Sequence, residues 1–308
     1  MHLIIPYAAL ADAPVDALRS LELPHLRQLL SQMTCTHRDE EERDTQPSPH
    51  MPHERVWARE LGWPVDAPLP WAAWAHPNNP APQAWITPCH WQIGMDQVVM
   101  LDPAHLHLSD QESQELLQAM QPFLQEDGLD VHWHSALRWH ATASVFGAMQ
   151  SVSLERVTGA NVKPWITGNH MPPGLRRLQS EMQMLLYNHP VNDARMAQGR
   201  LTVNSFWVHG AGALPKTHAA QAGSEVTVLD HLREAAVRGD LQAWLAAWRE
   251  LDATQLAPLA EQTDLHLSLC SETAVHTYQK TGRSWLQRIG AVFQPPDTGR
   301  ALQALIPT

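Results

Sequence analysis

The chain has 308 residues, of which 44% are hydrophobic and 17% charged, and its formal net charge is −11. The length suits one large domain or two smaller ones, and the composition is typical of a globular chain and excludes a disordered chain. The negative charge argues against broad binding to nucleic acid or anionic membranes, which requires basic patches.

The sequence predicts a protein that does not enter a membrane. No run of apolar residues approaches the length needed to span one. The first residues also lack the basic region and long apolar stretch of a signal peptide. The three cysteines, Cys35, Cys89 and Cys270, are odd in number and far apart. We therefore expect reduced thiols and a cytoplasmic location.

In chain order, the first predicted elements are a strand and a helix. Residues 3–5 form a short apolar run typical of a buried strand, and a helix should begin near Pro24 because apolar residues follow it at helical spacing. Residues 37–53 are charged and rich in proline, which predicts a loop. Residues 64–88 carry many Pro and Ala residues, and we expect an irregular crossing between two lobes there.

The middle of the chain has the pattern strand, helix, strand. Residues 98–101 are apolar and predict a strand. Ser109 and Glu112 have the spacing of a capping box, in which each side chain satisfies a free backbone N–H group at a helix start. The amphipathic helix that follows should end at a turn at Asp127, before a second strand at residues 129–133.

The last part of the chain continues this alternation. A long amphipathic helix is predicted after residue 175, and another should begin after Asp240 as its N-cap. Residues 265–270 alternate between apolar and polar positions, as a strand does. Because strands and helices interleave, the sequence predicts an α/β fold.

The most distinctive segment covers residues 187–212 and is called the motif segment below. It begins Y-N-H-P-V-N-D-A-R and ends N-S-F-W-V-H-G-A-G. It resembles the HPVN…R…G…AN-x-x-W-x-x-G-x-G segment of the archaeal-type cofactor-independent phosphoglycerate mutases, in the alkaline phosphatase superfamily. Weaker matches precede it in the chain, in the order that the family has, at residues 23–29, 60–64, 106–113 and 137–140. Within this family the chain is most similar to the RpfE-type regulatory proteins of bacteria.

The resemblance implies a particular division of the chain. An alkaline-phosphatase-like core would be formed by residues 1–81 and 173–308. A smaller α/β insertion domain would occupy residues 82–172. The first strand and the strand at residues 265–270 should then share one sheet.

The same resemblance shows which catalytic groups are missing. A phosphoryl-transfer enzyme of this class needs two divalent metals and a Ser or Thr nucleophile. The family's first metal-binding acid follows the first strand, where this chain has Pro6 and Tyr7. His53 stands in place of the nucleophile, and Cys270-Ser271-Glu272 stands in place of an Asp-His pair. We therefore expect a catalytically inactive protein that needs no cofactor.

Such a protein would act as a regulatory or interaction protein. It would bind an unknown protein partner or a small anionic metabolite in the cleft between core and insertion domain. The candidate ligand-binding residues are His53 and Glu54, in the turn of the lost nucleophile, and Arg138 and Arg195, the cations that the resemblance directs towards the cleft. The competing hypothesis is an active metal-dependent phosphoglycerate mutase or phosphatase with non-standard ligands.

A third hypothesis is a transition-metal-binding module. His105 and His107 form one His-x-His pair, and His132 and His134 form another. Residues two apart share a face of an extended segment, so each pair presents two imidazoles together. Imidazole is a common ligand of transition metals.

For the motif segment itself we expect a structural role. Its candidate structural residues are Asn188, His189, Pro190, Asn192, Asn204, Trp207, Gly210 and Gly212. Side-chain amides can satisfy buried backbone groups in both directions, proline fixes a turn, and an aromatic ring beside glycines can pack closely.

Overall fold

The computed structural model describes residues 1–42, 45–166, 170–215, 225–259, 262, 264–280 and 297–306. The chain divides into two compact units. Unit 1 consists of Met1–Trp63 and Gln221–Thr308, and unit 2 consists of Pro64–Ala220.

The strands of the described residues are β1 (His2–Ile5), β2 (Thr34–Glu40), β3 (Gln83–Cys89), β4 (Trp91–Ile93), β5 (Val98–Met100), β6 (Asp130–Ser135), β7 (Arg138–Thr142), β8 (Ser205–Gly212), β9 (Val226–Val228), β10 (His266–Cys270) and β11 (Ala274–Gln279). The α-helices are α1 (Val15–Ser20), α2 (Pro24–Gln32), α3 (Pro52–Glu60), α4 (Trp71–Ala75), α5 (Asp110–Glu126), α6 (Leu154–Val157), α7 (Pro173–Tyr187), α8 (Pro190–Ala197), α9 (Arg233–Val237), α10 (Leu241–Leu251) and α11 (Thr298–Gln303). None of these helices is long and apolar enough to cross a membrane.

Unit 1 is built on a five-stranded mixed sheet in the order β2-β11-β10-β1-β9. β1 is parallel to both of its neighbours, and β11 is antiparallel to both of its own. His2 lies opposite His266 in the register of β1 and β10. The expectation that the first strand and the late strand share one sheet is therefore confirmed, and the two strands are direct neighbours. The core of the unit is apolar and includes Trp244 and Trp248 of α10.

Unit 2 is built on a four-stranded antiparallel sheet in the order β6-β7-β3-β8, with β4 and β5 as a separate pair. Its core contains the apolar side chains of α5 and α7 together with alternate residues of the sheet, such as Trp139. The α/β class is thus confirmed, while the alkaline-phosphatase-like core remains a prediction.

Two predicted helix starts are confirmed. The Ser109 hydroxyl accepts from the Glu112 N–H group at 3.2 Å, and a Glu112 oxygen accepts from the Ser109 N–H group at 2.9 Å. The Asp240 carboxylate accepts from the Ala243 N–H group at 3.0 Å at the start of α10. Both caps satisfy N–H groups that a helix leaves without partners in its first turn.

Two predicted irregular segments are wrong. Residues 37–53 include most of β2 and the start of α3, and residues 64–88 include α4 and most of β3; residues 43 and 44 of the first segment lie outside the described ones. β2 is charged because it is an edge strand with mainly exposed side chains, where charge blocks further pairing. β3 lies inside its sheet although it contains Pro88, which argued against a strand there.

The unit boundaries differ from the predicted domain boundaries at residues 81/82 and 172/173. Unit 2 begins at Pro64 and continues to Ala220. The reason is that β8 pairs along most of β3, and α7 packs on β8. The motif segment therefore lies in unit 2 and supplies β8 of its sheet.

Candidate functional site

The carboxyl ends of parallel strands are the common position of ligand sites in α/β sheets. In unit 1, β1 leads into Tyr7, which is buried and has a left-handed backbone with φ of 55°. The Tyr7 carbonyl accepts a hydrogen bond from Trp244 Nε1 at 2.8 Å. The next carbonyl, that of Ala8, accepts from Trp248 Nε1 at 3.1 Å. Two indoles thus fix the backbone where the resemblance implies a metal-binding acid.

The end of β10 is fixed in a similar way. The Ser271 hydroxyl donates to the Leu305 carbonyl at 2.8 Å, and the Cys270 carbonyl accepts from the Ala8 N–H group at 2.7 Å. Burial raises the pKa of the Cys270 thiol, so no thiolate is present at neutral pH. These hydrogen bonds therefore fix the end of β10, and the Cys270 thiol there is not a thiolate nucleophile.

His53 and Glu54, predicted to bind a ligand, lie in the first turn of α3. His53 is 9% exposed, and its ring centroid is 6.5 Å from that of Tyr7. A Glu54 oxygen accepts from the Met51 N–H group at 2.8 Å, as the N3 residue of a capping box does. Within the described ranges, neither residue belongs to a set of three closely spaced metal-ligating side chains.

Arg195 of α8 is 1% exposed and lies in the interior of unit 2. Its Nε atom donates to the Leu201 carbonyl at 2.6 Å, and its Nη1 atom donates to Glu112 Oε1 at 2.9 Å. Its Nη2 atom donates to the Leu106 carbonyl. Each nitrogen of the guanidinium has a partner within the protein. The expectation that Arg195 faces a ligand is therefore corrected: its burial makes it a structural link.

The asparagines of the motif segment make paired hydrogen bonds with the backbone. Asn192 donates to the Leu186 and Val203 carbonyls, both at 2.7 Å, and accepts from the Val203 N–H group at 2.9 Å. Asn204 accepts from the Trp91 N–H group at 2.7 Å and donates to the Trp91 carbonyl at 2.9 Å. These two amides have the geometry that a structural role requires.

Other residues of the motif segment fix the start of α8 and the end of β8. His189 accepts from the Val191 N–H group at 3.2 Å through Nδ1, and Pro190 takes the first helical position. Gly212 has φ of 149°, and a Cβ atom there would lie 2.9 Å from Pro70 Cβ. The close approach of this backbone to residue 70 therefore requires glycine. Asn188, in contrast, is exposed.

A pocket of about 580 Å³ opens beside the motif segment in unit 2. Its lining includes the largely exposed side chains Ile93, Tyr187 and Met196. Among the lining residues only Asp193 is charged. Because that charge is negative, this pocket does not suit an anion.

A different site lies on the sheet of unit 2 and centres on Trp85 of β3. The register places His140 of β7 on one side of Trp85 and His209 of β8 on the other. Side chains two residues apart on a strand share a face, so Arg138 lies on the same face as His140. The residue between them, Trp139, is buried in the core.

Four side chains surround the Trp85 ring. The Arg138 guanidinium carbon lies 5.2 Å from the ring centroid. The imidazole centroids of His76, His134 and His140 lie 5.2, 5.3 and 5.5 Å from it. These five residues are called the Trp85 cluster below. Trp85 is 6% exposed, whereas Arg138 and His134 are exposed, so the cluster presents polar groups to solvent above a buried indole.

Arg138 is the cation of this cluster. Its side chain makes a cation–π contact with Trp85, and among the described residues this side chain has no hydrogen bond or ion pair. Such a contact contributes about 0.5–1 kcal/mol at an exposed position. It orients the guanidinium and leaves the N–H donors available to a ligand.

The positions of the imidazole protons follow from the hydrogen bonds. His76 Nδ1 lies 3.2 Å from the Ala72 carbonyl, which can only accept, so Nδ1 carries the proton. The Gln83 amide nitrogen donates to the carbonyls of His76 and Asn79, so its oxygen accepts from His140 Nε2 at 2.7 Å. In the neutral rings, lone pairs therefore remain on Nε2 of His76 and on Nδ1 of His140.

The electrostatics of this face keep two of its histidines neutral. Burial, with smaller contributions from the neighbouring imidazoles, lowers the pKa of His140 to about 4. Burial, with a contribution from Arg138, lowers the pKa of His209 to about 3. At pH 7 these rings are uncharged, and the face combines one unpaired cation with neutral hydrogen-bonding nitrogens.

The four histidines proposed as a metal module do not come together as ligands. His105 lies in a short 3-10 helix and His107 follows it with φ of 45°, whereas His132 and His134 lie on β6. His132 Nε2 lies 3.1 Å from a carboxylate oxygen of Asp130. In the described part of the chain, none of the four belongs to a set of three metal-ligating groups.

The sequence identified Arg138, and His134 for a metal site, but it did not single out Trp85 or His76. Trp85 and His76 fall in the segment that the sequence predicted as irregular, and His209 falls in the motif segment. The alternation Arg-x-His at residues 138–140 was the available signal for a polar strand face. The identity of the neighbouring strand, and hence Trp85, had no local signal.

The comparisons with known proteins do not assign a family. No model of a known protein family and no curated protein matches the chain. The cofactor-independent phosphoglycerate mutase from Thermoplasma acidophilum DSM 1728 is a similar solved structure, at 13% identity, with 99% of this chain and 100% of that chain covered and a TM-score of 0.37. The PH0037 protein from Pyrococcus horikoshii is another, at 11% identity, 91% and 87% coverage and a TM-score of 0.49. At these TM-scores neither likeness decides the fold or the function, and the RpfE-type assignment stays a prediction.

Proposed function

We propose that the chain is a binding protein that recognises a small organic anion at the Trp85 cluster and does not transfer phosphoryl groups. The observation that carries this proposal is Arg138, an exposed cation without an ion-pair partner among the described residues. Arginine binds carboxylates and phosphates through two parallel N–H···O bonds, which fixes the orientation of the anion.

The imidazole nitrogens of the Trp85 cluster refine the class of ligand. The lone pairs at His76 Nε2 and His140 Nδ1 accept hydrogen bonds, so they suit hydroxyl or N–H groups of the ligand. A molecule with an acidic group for Arg138 and a hydroxyl group for an imidazole satisfies both. Hydroxy acids and phosphate esters of small polyols belong to this class.

The absence of phosphoryl transfer is supported by the donor set of unit 1. The ends of β1 and β10 carry Tyr7, Cys270, Ser271 and one carboxylate, Glu272. Among the described residues Glu272 belongs to no set of three metal-ligating side chains, whereas such reactions use several clustered ligands to hold divalent metals. The sequence resemblance to phosphoglycerate mutases makes 3-phosphoglycerate and 2-phosphoglycerate the first anions to test. In this account they bind without being interconverted, as in a regulatory sensor of metabolite level.

The test is calorimetric titration of the full chain with 3-phosphoglycerate, 2-phosphoglycerate and inorganic phosphate. Arg138→Gln should weaken binding at least tenfold, which corresponds to about 1.4 kcal/mol. The matched control is Arg176→Gln, which removes the same charge from an exposed position of the same unit and should leave the affinity unchanged. Equal losses in both variants, or no binding by the parent, would overturn the proposed site.

The catalytic part of the proposal has its own measurement. With Mn²⁺ or Mg²⁺ added, the purified chain should show no mutase or phosphomonoesterase turnover above background. A rate that saturates with metal and disappears in His53→Ala would contradict the proposal and favour an active enzyme with non-standard ligands.

A further inference from the structure

Three metal-binding side chains meet in unit 1, at the amino-terminal end of β1. The parallel register places His2 of β1 beside His266 of β10. Glu60 is the last residue of α3, and its Oε1 atom lies 2.9 Å from His2 Nδ1. One ligand atom from each of the three residues lies within 4.8 Å of the other two. No other set of this kind occurs in the described part of the chain.

The His2 ring is held from the side that faces away from Glu60. His2 Nε2 lies 2.8 Å from Ser268 Oγ, which lies 2.7 Å from Thr277 Oγ1. His2 Nδ1 is buried and makes no well-aligned hydrogen bond, although the Glu60 carboxylate is close to it. This side chain is 3% exposed, so bulk solvent has little access to the nitrogen.

The arrangement has an electrostatic consequence. When Nε2 carries the ring proton and donates to Ser268, Nδ1 directs a lone pair towards the Glu60 carboxylate. Two acceptor atoms separated by 2.9 Å repel each other. A cation placed between them removes that repulsion and satisfies the buried nitrogen.

We propose that His2, Glu60 and His266 bind a divalent first-row transition-metal ion, with Zn²⁺ as the reference ion. Two imidazoles and one carboxylate are a ligand set that zinc accepts, with a water molecule in the fourth position. Donor atoms in a tetrahedral zinc site are about 3.3 Å apart. The Glu60 and His266 side chains are partly exposed, so they have room to adjust to that spacing.

The surrounding residues give this site two properties. With a metal ion on Nδ1, the other ring nitrogen of His2 donates to Ser268 Oγ, 2.8 Å away, and this contact orients the ligand. The ion connects β1, β10 and α3, which are distant in sequence. Because the folded chain forms the site and the unfolded chain does not, metal binding stabilises unit 1.

The test uses the full chain without a polyhistidine tag, stripped of metal by a chelator and then titrated with Zn²⁺ against a chromophoric competitor. We expect a single tight site and a melting temperature that rises with zinc. Glu60→Gln and His266→Gln should each weaken binding by about 100-fold or more, and Ser268→Ala by about 10- to 100-fold. His105→Gln, at an exposed histidine of unit 2, is the matched control and should keep the tight site.

Two results would overturn the site. One is the absence of tight zinc binding by the parent chain. The other is unchanged tight binding in Glu60→Gln. Because Glu60 is a partly exposed residue at the end of a helix, this variant keeps the test valid should His266→Gln fail to fold. Phosphoglycerate binding at the Trp85 cluster is measured separately, so failure of one proposal leaves the other standing.

Discussion

The motif segment and the Trp85 cluster are both rich in aromatic and polar residues, yet they use them in opposite ways. In the motif segment the amides of Asn192 and Asn204 form hydrogen bonds with the backbone, and Trp207 is buried. In the Trp85 cluster Arg138 and the imidazole lone pairs remain available. The segment with the strongest resemblance to a known family thus bonds to the backbone and packs into the core, whereas the face that we propose as the binding site has no sequence motif.

The two arginines predicted to bind a ligand show the same contrast. Arg195 is buried and bonded to Glu112 and to two carbonyls, whereas Arg138 is exposed and contacts an indole. The residue type is identical, and the surroundings decide its role. Burial of a guanidinium requires partners for its donors, and those partners leave nothing for a ligand.

The largest expected effect is the loss of Trp207. Trp207 is 1% exposed, and its Nε1 atom donates to the Val152 carbonyl at 3.1 Å. Trp207→Ala should lower the free energy of unfolding by about 3–5 kcal/mol because it leaves a cavity and an unpaired carbonyl. Urea unfolding measures the change. The control is Trp74→Ala at a 42% exposed position, which should change stability little. A Trp207→Ala protein as stable as its parent would break the structural interpretation of the motif segment.

Substitution of the two arginines tests the contrast directly. Arg195→Met should cost about 2–3 kcal/mol of stability because the Leu201 and Leu106 carbonyls lose their donor and Glu112 loses a partner. Arg138→Met should stay within about 0.5 kcal/mol of the parent, as exposed substitutions usually do. Thermal and urea unfolding of both variants give the comparison. Similar losses in the two variants would show that Arg138 is structural as well.

A smaller effect concerns pH and His209. Its folded pKa of about 3 lies below the ordinary value of 6.5, so the unfolded chain binds the proton more readily. The stability associated with the neutral ring is therefore complete above pH 6.5 and decreases as the pH falls towards 3. When the pH falls from 8 to 5, protonation linked to this residue should therefore lower the free energy of unfolding by about 2 kcal/mol.

Replacement by glutamine removes the titration and keeps a hydrogen-bonding group near Thr87, whose Oγ1 atom lies 3.0 Å from His209 Nε2. Urea unfolding at pH 8 and pH 5 should show a weaker pH dependence for His209→Gln than for the parent. The exposed His105→Gln control should retain the parent's dependence. If His209→Gln loses as much stability at pH 5 as the parent does, the ring is not held neutral by the fold.

Local signals in the sequence predicted many of the elements. The capping box at Ser109 and the N-cap at Asp240 depend on residues three positions apart, so they can be read without the fold. β2 could not be predicted in this way, because its charges suit an edge strand and look like a loop.

The candidate sites were less accessible to sequence reasoning. Trp85 meets His140 through the pairing of β3 with β7, and His2 meets His266 through the pairing of β1 with β10. These pairs are distant in sequence, and a shift of register by one residue would separate them. The sequence identified Arg138 and Arg195 as candidates, but only burial distinguishes the structural one from the available one.

Binding at the Trp85 cluster is tested most directly by NMR, with the indole N–H signals recorded while 3-phosphoglycerate is added. The Trp85 indole, which lies under Arg138, should shift in a saturable way. The indoles of Trp244 and Trp248, which donate to the Tyr7 and Ala8 carbonyls in unit 1, should not move. Shifts confined to Trp244 and Trp248, with Trp85 unchanged, would contradict the account and place the ligand at the strand ends of unit 1.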